Sequence, residues 1–331
     1  MTATGTTVNH AILQDGYGDA DLLRFAQAPT PKTASDEVLL RVHGAGLDRG
    51  TWHTMEGRPY LMRLIGFGLR KPKNQVPGID VAGTVVGIGS AVTRFAVGDE
   101  VYGIARGSFA TFAAAREDKL ARKPVNLSFE QAAVVPISGI VALQALTDVG
   151  RVQSGQHVLI TGASGGVGSY AVQLAKAFGA EVTGACRTTK LDLLRSLGAD
   201  HVIDYTRQDF ADGTQRYDLI LDIAGRPTLS RLRHALTPTG TAVIIGGEEG
   251  GKWTGGFGRH LRAAAISPFV PQRLVMFTAK ERGSDLERLT ALIEAGRLTP
   301  TLDKTFSLSR VPEAMHYLEA GRARGKVAIT I

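Results

Sequence analysis

The sequence predicts an α/β protein in which a β-rich domain precedes a doubly wound parallel sheet. Its 331 residues exceed what one ordinary hydrophobic core accommodates and suit two domains. Short apolar runs broken by glycine and proline fill residues 8–124, whereas strand-like and helix-like segments alternate from residue 156 onward. We therefore expect one domain at 1–124, completed by 281–331, and a second domain at 125–280.

Local signals place the elements of both domains. Ser128 and Gln131 have the spacing of a capping box and predict the start of a helix over 128–148. Ser284 and Glu287 have the same spacing and predict a helix that Gly296 ends. The remaining predicted elements are strands at 37–43, 80–86, 157–160, 181–185, 201–204, 217–221, 241–245, 273–277 and 326–331, and helices at 166–178, 189–197, 227–236 and 310–320.

Composition argues against several classes of function. The net charge of +7 comes from scattered basic residues, and no basic run is interleaved with aromatic residues, so we expect no nucleic-acid binding. The chain has no apolar stretch of roughly 18 residues and no secretory leader, which predicts a cytoplasmic protein without integral membrane association. The single cysteine, Cys186, excludes an intramolecular disulfide and a cysteine-based structural zinc site.

A glycine-rich loop lies directly between a predicted strand and a predicted helix. Its glycines allow the sharp turn and the close backbone approach that a pyrophosphate group requires. The helix N-terminus adds unpaired N–H groups and the positive end of the helix dipole. In this strand, turn and helix context the motif predicts a dinucleotide cofactor, and the loop residues expected to hold it are Ser164, Gly165, Gly166, Val167 and Gly168.

The end of the second strand of the parallel sheet predicts which dinucleotide binds. Sites that prefer NAD carry a carboxylate there, which accepts hydrogen bonds from the ribose hydroxyls. This chain instead has Arg187, Thr188, Thr189 and Lys190, whose cationic and hydroxyl groups can hold a 2′-phosphate. The alternative is that these residues are a solvated helix start. We expect NADPH as the cofactor.

Several motifs resemble the medium-chain dehydrogenase/reductase superfamily, and the resemblance covers almost the whole chain. The motifs occupy residues 77–85, 97–103, 162–168 and 197–205. The sequence is most similar to the zinc-independent, quinone oxidoreductase-like branch. This resemblance implies a GroES-like catalytic domain, a Rossmann cofactor domain, an active site between them and a homodimer.

The resemblance also locates the positions that hold catalytic zinc in the alcohol dehydrogenases of this superfamily. In this chain they are Asp48, Ile79 and Asp80, followed by an apolar stretch around Val135 and Pro136. An oxygen ligand without nitrogen and sulfur partners does not make a zinc site. We therefore expect no metal.

Matching positions imply four further cofactor contacts. Arg49 is expected to reach the pyrophosphate, and Tyr205 to lie against the 2′-phosphate or the adenine. Gly246 and Gly247 are expected to border the nicotinamide. These four assignments depend on the resemblance alone.

The catalytic candidates are Asp48, His53 and Tyr60, because the segment 46–60 faces the nicotinamide end of the cleft in this branch. Quinone reductases carry a tyrosine where this chain has His53. A histidine or a tyrosine hydroxyl can deliver the proton that follows hydride transfer. The alternative is that His53 packs in a turn and that water supplies the proton.

Three functions remain open. The favoured one is NADPH-dependent reduction of a small molecule at a conjugated C=C bond or a quinone. The second is a metal-free carbonyl reductase that forms an alcohol. The third is a non-catalytic NADPH-binding protein, whose basic segment 259–282 would contact nucleic acid or a membrane surface. The glycine-rich stretch 246–258 predicts either a mobile lid or a disordered connection.

Overall fold

The structure is a computed structural model that describes residues 8–246 and 251–331. It has a seven-stranded mixed sheet, a six-stranded parallel sheet and a separate two-stranded ribbon. The predicted fold class, a β-rich unit joined to a doubly wound α/β unit, is confirmed.

The N-terminal part of the chain builds most of the mixed sheet. The ribbon of β1 (Asn9–Leu13) and β2 (Arg24–Ala28) comes first. The strand β3 (Glu37–Leu47) is largely buried and pairs with three other strands of the sheet, so it lies at its centre. The elements that follow are α1 (Arg49–Glu56), β4 (Asp80–Ile88), β5 (Glu100–Ile104), β6 (Phe112–Arg116) and β7 (Leu120–Arg122).

The helix predicted over 128–148 is interrupted. Its capping box forms as predicted, because the Ser128 hydroxyl accepts from the Gln131 N–H and the Gln131 side chain accepts from the Ser128 N–H. The helix α2 (Phe129–Ala133) then ends, and α3 (Pro136–Gln144) begins. Proline explains the break, since it has no N–H with which to continue a helix and is tolerated in a first turn.

The parallel sheet follows from alternating strands and helices. They are β8 (His157–Thr161), α4 (Gly166–Ala177), β9 (Glu181–Cys186), α5 (Leu191–Ser196), β10 (His201–Asp204), β11 (Tyr217–Asp222), α6 (Leu229–Ala235), β12 (Leu236–Ile244), α7 (Phe257–Ile266) and β13 (Arg273–Met276). The strand order is β10-β9-β8-β11-β12-β13. The order reverses between β8 and β11, and ligands of such sheets bind outside the carboxyl ends of the strands at that point.

The C-terminal tail returns to the mixed sheet. Its elements are α8 (Gly283–Glu294), β14 (Leu302–Ser307), α9 (Val311–Glu319) and β15 (Lys326–Thr330). The strand β15 pairs antiparallel with β3 and parallel with β14. No helix within residues 8–246 and 251–331 is long and apolar enough to cross a membrane.

One helix start differs from its prediction. The expected capping box of Ser284 and Glu287 is wrong, because α8 begins at Gly283 after Arg282 and has no side-chain cap. The Glu287 carboxylate instead accepts from Arg94 of the mixed-sheet unit at 2.6 Å. A contact between distant parts of the chain therefore engages the side chain that local spacing assigned to the cap.

Candidate cofactor and substrate site

The glycine-rich loop leaves the N-terminus of a helix free for a ligand. The strand β8 ends at Thr161, and Gly162 turns the chain with a φ of 67°. The helix α4 then begins at Gly166 after Gly165, with no side chain capping it. By contrast, a carboxylate caps α1 and a hydroxyl caps α2. The N–H groups at the start of α4 are thus placed to receive an anion, as a pyrophosphate site requires.

Close contacts leave no room for a side chain at one glycine of this loop and little at another. A Cβ atom on Gly168 would lie 2.6 Å from the Ala163 Cα and closer still to the Gly162 carbonyl oxygen. A Cβ atom on Gly166 would lie 3.0 Å from the Lys326 Cδ and 3.3 Å from the Ser138 Oγ. The loop therefore has no room for a side chain at Gly168 and little at Gly166, as a close backbone approach to a dinucleotide pyrophosphate requires.

At the end of β9 the structure brings two of the predicted 2′-phosphate residues together. The Arg187 Nε donates to the Tyr205 hydroxyl at 2.8 Å, and Tyr205 is 42% exposed. Thr188 donates its hydroxyl to the Asp204 carboxylate. The Lys190 ammonium donates to backbone carbonyls near the C-terminus, including that of Gly321 at 3.2 Å. Arg187 and Tyr205 thus bind each other, whereas Thr188 binds Asp204 and Lys190 binds backbone carbonyls.

Two charged residues near this pair were not predicted. Asp204 ends β10 beside Thr188, and hydrogen bonds from Thr188 and Thr206 lower the pKa of its carboxyl. Arg324, just before β15, donates to the Asp192 carboxylate at 2.6 Å and to the Thr189 carbonyl at 3.3 Å. Asp204 had a sequence signal, a carboxylate at a strand end. Arg324 had none, because only the fold brings the C-terminus to this loop.

The catalytic candidate Asp48 is a helix cap. Its Oδ1 accepts from the Thr51 N–H at 2.7 Å at the start of α1. Its Oδ2 is buried and has no hydrogen-bond partner among the residues described. The guanidinium of Arg49, a predicted pyrophosphate contact, lies 5.2 Å from the ring centre of Trp52. Asp48 and Arg49 thus contact residues of α1 itself.

The other two candidates follow along the same segment. The His53 ring packs edge-on against Trp52, with ring centres 5.0 Å apart. The Tyr60 N–H donates to the Lys252 carbonyl at 2.9 Å, and its ring packs edge-on against Trp253 at 5.3 Å. Tyr60 thus lies where the mixed-sheet unit meets the segment that follows β12.

Gly246, one of the two predicted nicotinamide neighbours, lies just after β12. The Gly246 N–H donates to the Asp222 carbonyl at 3.1 Å. A Cβ atom on Gly246 would collide with the Ile223 carbonyl oxygen, so this position requires glycine. Gly247 lies outside the described residues. Gly246 is therefore placed at the carboxyl edge of β11, next to the strand that carries the glycine-rich loop.

A buried ion pair lies beside the loop. Asp80 is fully buried, and its Oδ2 lies 3.5 Å from the ammonium of Lys326, which is 2% exposed. Its Oδ1 accepts from the Ile137 N–H at the start of α3, at 3.0 Å. Burial raises the pKa of the Asp80 carboxyl to about 7, although Lys326 opposes the shift. Lys326 was not predicted, although a lysine opening an apolar last strand was a usable signal.

The positions that correspond to zinc ligands have other partners in this chain. Asp48 caps a helix, and Asp80 faces a lysine. Across residues 8–246 and 251–331 no cluster of three or more His, Cys, Asp or Glu side chains could hold a metal ion. The donor set in the described structure thus does not fit a zinc ion.

The fold and this geometry define a class of two-unit α/β enzymes. In this class a dinucleotide binds at the edge of a parallel sheet, and a β-rich unit lies opposite that edge. Family models agree, since one described as an alcohol dehydrogenase GroES-like domain matches residues 34–125. A second, described as a zinc-binding dehydrogenase, matches residues 197–329.

Individual relatives extend the match over almost the whole chain. A 2-methylene-furan-3-one reductase of Solanum lycopersicum is 34% identical over 95% of this chain and 76% of its own length. An NADPH-dependent alkenal/one oxidoreductase of Arabidopsis thaliana is also 34% identical, over 95% of this chain and 77% of its own. The quinone oxidoreductase structure from Coxiella burnetii superposes with a TM-score of 0.86 at 28% identity, covering 98% of this chain and 100% of that one.

The chain belongs to the medium-chain dehydrogenase/reductase superfamily, in its quinone oxidoreductase-like branch. The resemblance seen in the sequence is confirmed. The protein is an oxidoreductase of a family that uses a nicotinamide cofactor.

Proposed function

We propose that the protein transfers a hydride from NADPH to a small molecule with an electron-poor C=C bond, an α,β-unsaturated carbonyl compound or a quinone. The observation that carries the proposal is that the glycine-rich loop lies beside Asp80, a position matched to a zinc ligand of the family's alcohol dehydrogenases, and that Asp80 here pairs with Lys326. The names of similar proteins, which include an enone reductase and quinone oxidoreductases, support the same reaction class.

The reaction type follows from the charge that the transition state must carry. A zinc enzyme polarises a carbonyl oxygen with its metal. An enone or a quinone spreads the arriving charge into an enolate or a hydroquinone anion, so orientation and a few hydrogen-bond donors suffice. NADPH supplies the hydride when it is bound. The chain orients the substrate, excludes water and offers donors near Tyr60 and His53.

The choice of NADPH over NADH rests on the Arg187 and Tyr205 pair. A guanidinium gains about 1.5–3 kcal/mol from a charge-assisted bond to a phosphate, or about ten to a hundredfold in binding. Asp204 lies close by, but it already accepts from Thr188 and Thr206. We therefore propose that the site receives a 2′-phosphate.

The proposal includes the arrangement of the enzyme. Residues 1–124 and 281–331 form the catalytic domain, and 125–280 form the cofactor domain. The enzyme is metal-independent, homodimeric and cytoplasmic, all of which remain predictions.

Two measurements test the metal and the dimer. Activity should survive dialysis against a chelator, and metal analysis should find far less than one zinc per chain. One zinc per chain would contradict metal-independence. A monomer mass by light scattering would contradict the homodimer.

Product identification tests the reaction. Incubation of an α,β-unsaturated ketone with NADPH should give the saturated ketone, identified by mass spectrometry and NMR. The matching saturated ketone should be a much poorer substrate. An allylic alcohol as the main product would reject C=C reduction and favour the carbonyl reductase. Absence of turnover over a panel of enones, quinones, aldehydes and ketones would favour a non-catalytic NADPH-binding protein.

A further inference from the structure

The segment 251–259, here called the strap, crosses from the parallel sheet to the catalytic domain. Two backbone hydrogen bonds join it there, from the Tyr60 N–H to the Lys252 carbonyl at 2.9 Å and from the Leu61 N–H to the Trp253 carbonyl at 3.0 Å. A Cβ atom on Gly255 would lie 3.0 Å from the Pro59 Cγ, so the contact continues beyond Trp253. The strap therefore joins the two domains.

Asp222 contacts the chain both before the strap, at Gly246, and at the end of the strap, at Arg259. The Asp222 carbonyl accepts from the Gly246 N–H at 3.1 Å, where the chain leaves β12. The Asp222 carboxylate forms an ion pair with Arg259, where α7 begins. Thr161 fixes that carboxylate by donating its hydroxyl to Oδ1 at 2.7 Å, and Thr161 directly precedes the glycine-rich loop. The strap is thus clasped at the carboxyl edge where the dinucleotide is expected.

The pair of Asp222 and Arg259 is not explained by stability alone. Arg259 is 16% exposed and Asp222 is fully buried. Arg259 Nη2 donates to the Pro227 carbonyl at 2.7 Å, but Nε and Nη1 are buried without a hydrogen-bond partner among the residues described. Burial raises the pKa of the Asp222 carboxyl, and Arg259 opposes the rise. Buried donors without a partner cost free energy and a buried ion pair contributes little net stability, so stability does not account for this pair.

The tip of the strap, Trp253, packs against an aromatic residue of the catalytic domain. The rings of Tyr60 and Trp253 are 5.3 Å apart at 82°, and Arg63 lies 4.7 Å above Tyr60. Arg63 is itself held by the Gly57 carbonyl at 2.7 Å. Trp253 is 74% exposed, so burial in a core does not account for its place. Its fixed neighbours are Tyr60 and the backbone of 60–61.

We propose that Arg259 is a positioning residue which, through Asp222, clasps the strap and holds Trp253 beside Tyr60 as the outer wall of the substrate pocket. A pocket closed by this wall selects flat, conjugated carbonyl compounds, because planar π systems pack on aromatic rings while bulky substituents out of the plane collide with them. The inference rests on the proposed function, because it assigns a shape preference to the same reaction.

Fluorescence tests the clasp without turnover. The chain has two tryptophans, so Trp52→Phe leaves Trp253 as the only reporter. In this background, Arg259→Gln should lower the steady-state anisotropy of Trp253, since its support is lost. The matched control is Arg262→Gln, an exposed arginine of the same helix, which should leave the anisotropy unchanged. Equal anisotropy in the Arg259→Gln and parent proteins would overturn the clasp, whether or not any enone is reduced.

Kinetics test the pocket wall. Arg259→Gln should raise the KM for a flat enone about tenfold, about 1.4 kcal/mol, while the Kd for NADPH changes less than about twofold. Trp253→Ala should narrow the preference for the flat enone over one with a tert-butyl group out of its plane. Trp253→Ala also serves if the Arg259→Gln protein fails to fold, because Trp253 is exposed. Unchanged KM and an unchanged substrate ratio would overturn the wall, whereas a wild type that reduces neither enone and no quinone would overturn the proposed function.

Discussion

The glycine-rich loop, the phosphate end of the proposed site, is one local segment, whereas the substrate end joins residues that are far apart in sequence. The glycine-rich loop has no room for a side chain at Gly168 and little at Gly166. The substrate end depends on Tyr60, Trp253 and the Arg259 clasp, which join both domains. One local segment thus forms the phosphate end, which serves every substrate of the enzyme alike. Distant segments form the substrate end, which can therefore differ between relatives.

The largest expected effect is at the phosphate end. Gly168→Ala places a methyl group 2.6 Å from the Ala163 Cα, so the loop must shift. Such overpacking costs about 1–3 kcal/mol, and if it falls on the bound loop the Kd for NADPH rises about ten to a hundredfold. Titration calorimetry measures the Kd. Gly16→Ala is the control, because nothing lies within 4 Å of that position. An unchanged Kd would mean that the loop does not approach the cofactor.

The next effect is on cofactor choice. Arg187→Gln removes the cation that binds Tyr205 and should lower kcat/KM for NADPH about ten to a hundredfold, while kcat/KM for NADH stays the same. Arg195→Gln, an exposed change on the adjacent helix α5, should alter neither value. Equal kcat/KM for the two cofactors in the wild type would contradict the assignment before any variant is made.

The same comparison explains how much the sequence could predict. The fold class and the glycine-rich loop are local patterns, since glycine spacing and strand-helix alternation need no distant partner. Arg259 and Lys326 were not predicted, because their partners Asp222 and Asp80 are distant in sequence. The sequence shows a basic segment at 259–282, but it does not predict that Arg259 in that segment pairs with Asp222.

Tertiary contacts compete with the partners that local spacing predicts. Glu287 matched a capping box with Ser284, yet it pairs with Arg94, 193 residues away. Lys190 matched a phosphate-binding pattern, yet its ammonium donates to carbonyls near the C-terminus. Burial lowers the pKa of Lys190, as expected for an amine taken out of water. A long charged side chain reaches several partners, and only the fold selects among them.

A smaller effect is expected at the proton donor. His53→Ala should lower kcat by less than about a hundredfold, the lower end of general-acid effects, because water can replace the side chain. Thr54→Ala, the next residue of α1, is the control. The pH profile of kcat separates the roles, since an acid that donates the proton gives a limb that His53→Ala removes. A loss above about a thousandfold would instead make His53 indispensable.

The last expected effect is on stability and not on binding or turnover, and it concerns the buried ion pair of Asp80 and Lys326. Burial raises the pKa of the Asp80 carboxyl to about 7, so between about pH 4 and pH 7 the folded protein keeps a proton that the unfolded chain has released. The folded state binds more protons in that window. Its free energy of unfolding therefore falls as the pH rises from about 4 to 7, and Asp80 adds no further change above that.

The double variant Asp80→Asn with Lys326→Met removes this titration without leaving an unpaired buried charge. Urea unfolding at several values between pH 4 and pH 8 should show that the wild type loses more stability than the double variant as the pH rises. One proton contributes at most about 1.4 kcal/mol per pH unit, so the difference in slope stays within that bound. The single variant Asp80→Asn should be the least stable of the three proteins, because the Lys326 ammonium then faces an amide in a dry site. Identical slopes in the wild type and the double variant would show that Asp80 ionises normally and that the pair only links β4 to β15.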